Sequence, residues 1–358
     1  MIVGVNLNPN SYRRIKEFVE KGKYESVENF VEIAVLNQIL LESNGVASLG
    51  ASRESRATSK EEFAYKPSQI RQQAGVQQPA QYLTCPKDVS IPFSSPLPLT
   101  DEIRSFPIWG QINRLAPAKI VLRMLANQVL LGRDRVDLKR FSADVAEITT
   151  SLRTYIEKKD KKDRIRGTEL FIALPKKDPS SQQRFINFYV GKLPSGKWTD
   201  GILTGLGLVR IEQTEDGSVV VGLTETGRTL VCLSSPLIDE FLLQGNQIEE
   251  PFSSAEVEFL LDQLEVNRPG EFEYMVSVLR FIKGGAVTPT SLRQKVGVFL
   301  RDRYPTMKIS EKFVNTMLVG LMGRLVEMRI VEIEKDAQKS KYSLTAAGEV
   351  LISRRVRT

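Results

Sequence analysis

The chain of 358 residues contains no histidine. That removes Ser-His-Asp and Cys-His nucleophilic catalysis, histidine-ligated zinc and the usual general base near neutral pH. Cysteine is almost as scarce, since Cys85 and Cys232 are the only two. Two are too few for a disulfide framework or a cysteine-only zinc site. Cys85 falls in a linker-like stretch and Cys232 in an apolar run, so each reads as a buried or idle thiol. There is no phosphate loop of the form G-x-x-x-x-G-K-[ST], and no G-x-G-x-x-G between a strand and a helix. No run approaches the roughly 20 apolar residues that cross a bilayer. The opening Met-Ile-Val-Gly-Val-Asn lacks the basic and apolar regions of a signal peptide. The expectation is a cytoplasmic chain with no membrane partner. Magnesium chemistry on carboxylates survives these exclusions, because Mg²⁺ takes oxygen ligands. Glu147, Asp160 and Glu169 are available for it, and nothing beyond their availability supports an enzyme. No catalytic residue, cofactor or metal is therefore expected.

What is present is an ordinary soluble composition, 41% hydrophobic and 26% charged, with a net charge of +7. A basic balance favours polyanionic partners through phosphate contacts. The length allows two or three domains, each with its own core.

Residues 2–7 alternate, with Val3, Val5 and Leu7 on one face and Ile2, Gly4 and Asn6 on the other, which is the pattern of a short strand. Asn8-Pro9-Asn10 opens a helix in which Tyr12, Ile15, Phe18 and Val19 recur at helical spacing until Gly22. Ser26 caps a second helix with Phe30, Val31, Ala34, Val35 and Ile39 on one stripe. A lone strand and two short helices cannot bury that apolar surface alone, and a second copy of the chain completes them. This order resembles the ribbon-helix-helix family, the MetJ/Arc-like repressors, over residues 1 to about 42. The resemblance implies a homodimer through the N-terminal strand, with the ribbon in the major groove of double-stranded DNA. It implies that Ile2, Gly4 and Asn6 face the bases, with Ser26 and Val27 at a phosphate. Asn6 is a competent reader of adenine edges, whereas Gly4 has no side chain and Ile2 offers only apolar contact. Base reading and simple dimerisation both stay open.

Residues 44–100 are rich in Ser, Ala, Gly, Gln and Pro and weakly periodic, as in a flexible linker, with apolar islands such as the one around Phe93 able to dock on the next domain. Beyond it an arrangement occurs twice. Leu208-Val209-Arg210-Ile211-Glu212 leads through Asp216-Gly217 to a second strand and Leu223-Thr224-Glu225-Thr226-Gly227. Ile330-Val331-Glu332-Ile333-Glu334 leads likewise to Leu344-Thr345-Ala346-Ala347-Gly348. Helices precede each hairpin, and the combination resembles a winged helix. The second copy has helices expected at 271–283, 290–303 and 311–327. The first has candidates at 117–131, 143–159 and 198–208, with 181–193 as an insertion.

The expected architecture is multidomain, mainly α with short β: a ribbon-helix-helix domain (1–43), a linker (44–100) and two winged-helix-like α+β units (101–235 and 251–358). Candidate DNA contacts in the second unit are Lys312 and Asn315, with Arg324 on the same helix. In the tail they are Arg354, Arg355 and Arg357, a basic run without acids, whereas Lys158-Lys159-Asp160-Lys161-Lys162 carries an interleaved acid. Trp109 and Arg114 are of types that recur at interface hot spots, although packing on the first unit explains them as well. The function that follows is sequence-specific binding of double-stranded DNA by a transcriptional regulator, a repressor. The alternative is a non-catalytic subunit of a nucleic-acid machine, with the winged units docking protein partners.

Overall fold

The computed structural model describes residues 9–20, 26–27, 82–86, 91–96, 99, 104–107, 109–130, 135–163, 173–191, 201–336 and 339–354. The chain is mainly helical, with one sheet of three strands and one of two. Residues 1–66 and 194–197 belong to one unit, and residues 67–193 and 198–358 to another. In the first unit α1 (Pro9–Glu20) starts at the proline that the sequence places in a helical first turn, and it buries Ile15 while Tyr12 is exposed. The expected strand, with Ile2, Gly4 and Asn6, lies outside the described residues. So does most of the expected second helix.

The larger unit is built on α2 (Ala116–Leu130), which is buried nearly all round. A helix so apolar is a core helix rather than a surface one. The polar exceptions are Lys119, Arg123, Asn127 and Gln128, of which the first three, spaced by four, share one stripe. Lys119 pairs with buried Glu256 at 2.9 Å. Arg123 grips Asp239 through both terminal nitrogens and donates to Leu83 O at 3.3 Å. Asn127 donates to Tyr82 O and Thr84 O. Within the interval expected as linker, residues 82–86 are thereby strapped to α2, with Leu83 fully buried. Phe93 is also buried, bridges to Thr224, and lies under the guanidinium groups of Arg135 and Arg210. Cys85 and Cys232 are free and exposed, which rules out the buried alternative for both, and the Cys85 thiol donates to Val231 O.

After α2 come β1 (Val136–Asp137), α3 (Leu138–Asp163), α4 (Pro179–Tyr189), the single turn α5 (Ile202–Gly205), β2 (Val209–Gln213), β3 (Val219–Leu223) and α6 (Glu225–Cys232). α3 buries Phe141, Val145, Leu152 and Ile156 along one face and includes the lysine run at 158–162. β3 lies between β1 and β2, antiparallel to both. A π-helical segment, Pro236–Leu242, leads to α7 (Ser254–Asn267), α8 (Pro269–Lys283), α9 (Pro289–Arg303), α10 (Glu311–Glu327), β4 (Val331–Asp336), β5 (Lys339–Leu344) and α11 (Ala346–Arg354). Side-chain caps fix the starts of these helices: Ser253 and Glu256 form a capping box on α7, Thr288 and Ser291 one on α9, and Ser310 caps α10.

The two hairpins are held by the same bonds. Before β2, Gly207 N–H donates to Thr204 O and Leu208 N–H to Leu203 O; before β4, Arg329 N–H donates to Val326 O and Ile330 N–H to Leu325 O. Both reversals put one residue in the left-handed region, Gly207 at φ 70° and Arg329 at φ 52°. After β3, the Thr224 hydroxyl donates to Gly207 O at 2.6 Å and accepts from Gly227 N–H. After β5, the Thr345 hydroxyl donates to Arg329 O at 2.7 Å and accepts from Gly348 N–H. The short strand recurs too: Val136 pairs with Val221, and Val287 O accepts from Tyr342 N–H. The repeated Leu-Thr-x-x-Gly is therefore a clasp, in which threonine closes the hairpin base and starts the next helix. Glycine is required because a Cβ on Gly227 would stand 1.9 Å from Leu208 O, and one on Gly348 2.5 Å from Ile330 O.

One expected helix differs. Of the helix expected at 198–208, the described residues 201–208 give only the four-residue α5, because Gly201 sits at φ 131° and Gly207 at φ 70° with Gly205 between them, and glycines at this density break a helix.

The clasp predicts a graded loss of stability. Gly227→Ala should cost about 3 kcal/mol, because backbone must move to admit the methyl group. Thr224→Val, isosteric but unable to close the base, should cost about 1–2 kcal/mol. Thermal denaturation of both variants against the wild type checks the order, and an unchanged midpoint in Gly227→Ala would contradict the clasp.

Candidate nucleic-acid interface

The sequence offers α10 as the helix for a groove, with Lys312, Asn315 and Arg324 on it. Arg324 is instead in the core, at 2% exposure. Its guanidinium pairs with the equally buried Glu271 and donates to Trp109 O, at 2.6 Å, and to Ile112 O. One turn on, Glu327 accepts from Leu115 N–H and Ala116 N–H. These carboxylate and guanidinium groups hold the segment 109–116 against α10. Gly320 and Gly323 allow the close approach, since a Cβ at either would lie within 2.6 Å of the Gly110 or Asn113 carbonyl oxygen. Trp109, 2% exposed, is wedged against Gly205 with Arg268 over its ring at 5.2 Å, and Arg114 donates to Gly323 O. Trp109 and Arg324 are thus removed from any surface. On α10, Glu311, Lys312 and Val319 are exposed and Asn315 is half-buried. Glu311 pairs with Arg301 from α9, so acid accompanies Lys312 there. Arg354 ends α11, while Arg355 and Arg357 lie outside the described residues, as do Ile2, Gly4 and Asn6. Ser26 is half-buried.

The better-formed face belongs to α4, which falls in the stretch that the sequence suggests is an insertion. Asp178 precedes Pro179, and its carboxylate accepts from Ser181 N–H at 2.8 Å and from the Ser180 hydroxyl. Those bonds, the backbone one first, hold the Asp178 carboxyl below its usual range. Asp178, the acid at the helix start, is therefore used as its cap. Phe185, Ile186 and Tyr189 are buried on one side. On the other side stand Ser180, Gln183 and Arg184, exposed, and Asn187, half-buried, at spacing i, i+3, i+4, i+7. No acidic residue occurs from 179 to 191, and Lys176 and Lys177 are exposed just before the helix. Gln182 donates to Thr150 on α3, Arg153 to Leu174 O, and Tyr189 to Arg114 O, so α4 is braced at both ends. Between α3 and α4 lies a groove of about 730 Å³ bordered by Asp137, Lys139, Ser142, Gln183 and Asn187, so one carboxylate shares it with the amides. The signals that identify this helix in the sequence are the Asp-Pro start and the run of amide and basic residues at helical spacing.

The surroundings restrict which groups can meet a polyanion. The β2–β3 turn carries exposed Glu215 and Asp216, which disfavours contact with phosphate. Arg135 and Arg210 are engaged with Glu212 and Phe93. Of the candidate metal carboxylates, Glu147 and Asp160 are about 20 Å apart along α3 at the helical rise, and Glu169 lies outside the described residues. Among the described residues no cluster of three or more carboxylate or thiol groups could hold a metal, and no helix is long and apolar enough to cross a membrane. No protein-family model matches the chain, and neither a curated protein nor a solved structure matches it.

Burial raises the Glu327 carboxyl from an ordinary 4.5 to about 7, against the lowering effect of its two backbone donors and of Arg114 and Arg324. Between those values the folded chain keeps a proton that the unfolded chain releases. The stability tied to Glu327 is thus fully present below about pH 4.5 and lost as pH rises towards 7. The loss should approach about 3 kcal/mol at most. Chemical denaturation from pH 5 to 7.5 should show a flatter profile for Glu327→Gln than for the wild type, and parallel profiles would refute the assignment.

Proposed function

We propose that this chain is a DNA-binding regulator, a repressor, whose larger unit places α4 in the major groove of double-stranded DNA. The observation that carries this reading is the outward face of α4: four hydrogen-bonding side chains, no acid, and two lysines at the approach. A groove-entering helix needs that combination, with polar groups for base edges and flanking charge for phosphates. The order of helix, short strand, helix, α4, the single turn α5 and hairpin supports a winged-helix-like unit at 101–235, in which α4 is the helix offered to the groove. The matching clasp supports a second such unit at 251–358. The N-terminal residues are read as a ribbon-helix-helix that makes the protein a homodimer, with Asn6 outward beside Ile2 and Gly4.

A second reading follows from the burial of α10. Because residues 109–116 occupy much of that helix, the second winged-helix-like unit fits a protein-docking role in a larger nucleic-acid assembly. An apolar groove of about 420 Å³ between α7 and α11, bordered by Val257, Leu261 and the 53%-exposed Val350, is consistent with it.

Two measurements test the proposal. Titrating the protein onto a random duplex across a salt series should give a linear fall of log affinity with log salt. Lys176→Ala with Lys177→Ala should reduce that slope by about 2, one for each phosphate left without its lysine. An unchanged slope would remove α4 from the interface. Separately, light scattering should find the full chain at twice its monomer mass, and Val5→Pro, which deletes a strand N–H, should halve it. A monomeric wild type at micromolar concentration would rule out the ribbon.

A further inference from the structure

The α4 face also carries information about which bases it suits. Gln183 Nε2 donates to Asn187 Oδ1 at 3.0 Å, so the two amides one turn apart orient each other. That bond leaves Gln183 Oε1 as an acceptor and Asn187 Nδ2 as a donor, with no further partner for either among the described residues. Arg184 is exposed on the same face, with donors only.

We propose that the linked amides of Gln183 and Asn187 select adenine, and that Arg184 selects a neighbouring guanine, in the major groove of duplex DNA. This rests on the reading of α4 as the groove-entering helix. In the major groove adenine presents the N6 amino donor beside the N7 acceptor, which complements one free acceptor and one free donor. Guanine presents two acceptors, O6 and N7, and would set O6 against Gln183 Oε1. Thymine offers O4 and a methyl group, and cytosine one amino donor, so neither fills both amide positions. The guanidinium of Arg184 matches the two acceptors of guanine for the same reason that the amide pair rejects them. Ser180, one turn nearer the helix start, has its hydroxyl proton on Asp178 and is left as an acceptor only, which adds little discrimination. Duplex RNA is excluded as the partner because its major groove is too deep and narrow for a helix.

The test uses the full chain and a randomised DNA duplex library, followed by anisotropy titrations of the enriched site at fixed salt. The expected enrichment is an A·T pair beside a G·C pair. Gln183→Ala and Asn187→Ala should each weaken the enriched site about tenfold while changing random duplex less than about twofold. Replacing the selected adenine by 7-deazaadenine, which lacks N7, should cost the wild type a similar factor and Asn187→Ala little or nothing. That non-additivity would not arise from a purely structural effect of the substitutions, and Gln183 is exposed, so its variant keeps the fold. Arg184→Ala should relax the guanine position and leave the adenine position selected. Binding without sequence preference, or enrichment that survives both amide substitutions, overturns this inference and leaves DNA binding by α4 standing. Failure to bind any duplex overturns both.

Discussion

A guanidinium taken out of water must find acceptors for its donors or the fold loses several kcal/mol, and Arg324 finds them in three places. Glu271 supplies the countercharge from α8, and the carbonyls of Trp109 and Ile112 supply the rest from a segment more than 200 residues earlier in the chain. The carboxylate of Glu327, one turn further along α10, completes the attachment by accepting from the backbone at Leu115 and Ala116. These bonds bring residues 109–116 against α10, which sets where α2 begins and seats Trp109 against Gly205 at the base of the first hairpin. Removing one partner would leave a buried charge uncompensated, so the arrangement is all-or-none rather than a sum of small effects.

The same clasp closes both hairpins, yet the two copies diverge in what stands before it. In the second copy a continuous α10 runs into the reversal, and its C-terminal half is covered. In the first copy three glycines reduce that position to the single turn α5, and α4 projects an open polar face instead. Both copies contribute to one hydrophobic core. The second copy's α10 is covered by residues 109–116, and the first copy keeps the polar face of α4 exposed.

Much of this is legible in the sequence where the signal is local. The second copy's helices, expected at 271–283, 290–303 and 311–327, are observed at Pro269–Lys283, Pro289–Arg303 and Glu311–Glu327, because caps and prolines mark their starts. The Leu-Thr-x-x-Gly repeat is visible because its glycine and threonine have fixed backbone duties. Arg324 misleads for a different reason: its partners lie far away in sequence, and a basic residue on a helix gives no local sign of being buried. The docking of Leu83 depends in the same way on distant Arg123 and Asn127. α4 escapes notice because aligning the first copy on its hairpin makes the preceding helix look like an insertion. The N-terminal strand stays a sequence-level reading, since Ile2, Gly4 and Asn6 are not among the described residues.

The stripe of Lys119, Arg123 and Asn127 has a mechanical side. Among the described residues, tension arriving at residue 82 falls on the carbonyls of Tyr82, Leu83 and Thr84, which are moored to the buried helix α2. The load is then shared by Glu256 and Asp239, which pair with Lys119 and Arg123 of the same stripe. A pull arriving at residue 82 is therefore received by a helix buried nearly all round, and α4 donates no hydrogen bond to that mooring.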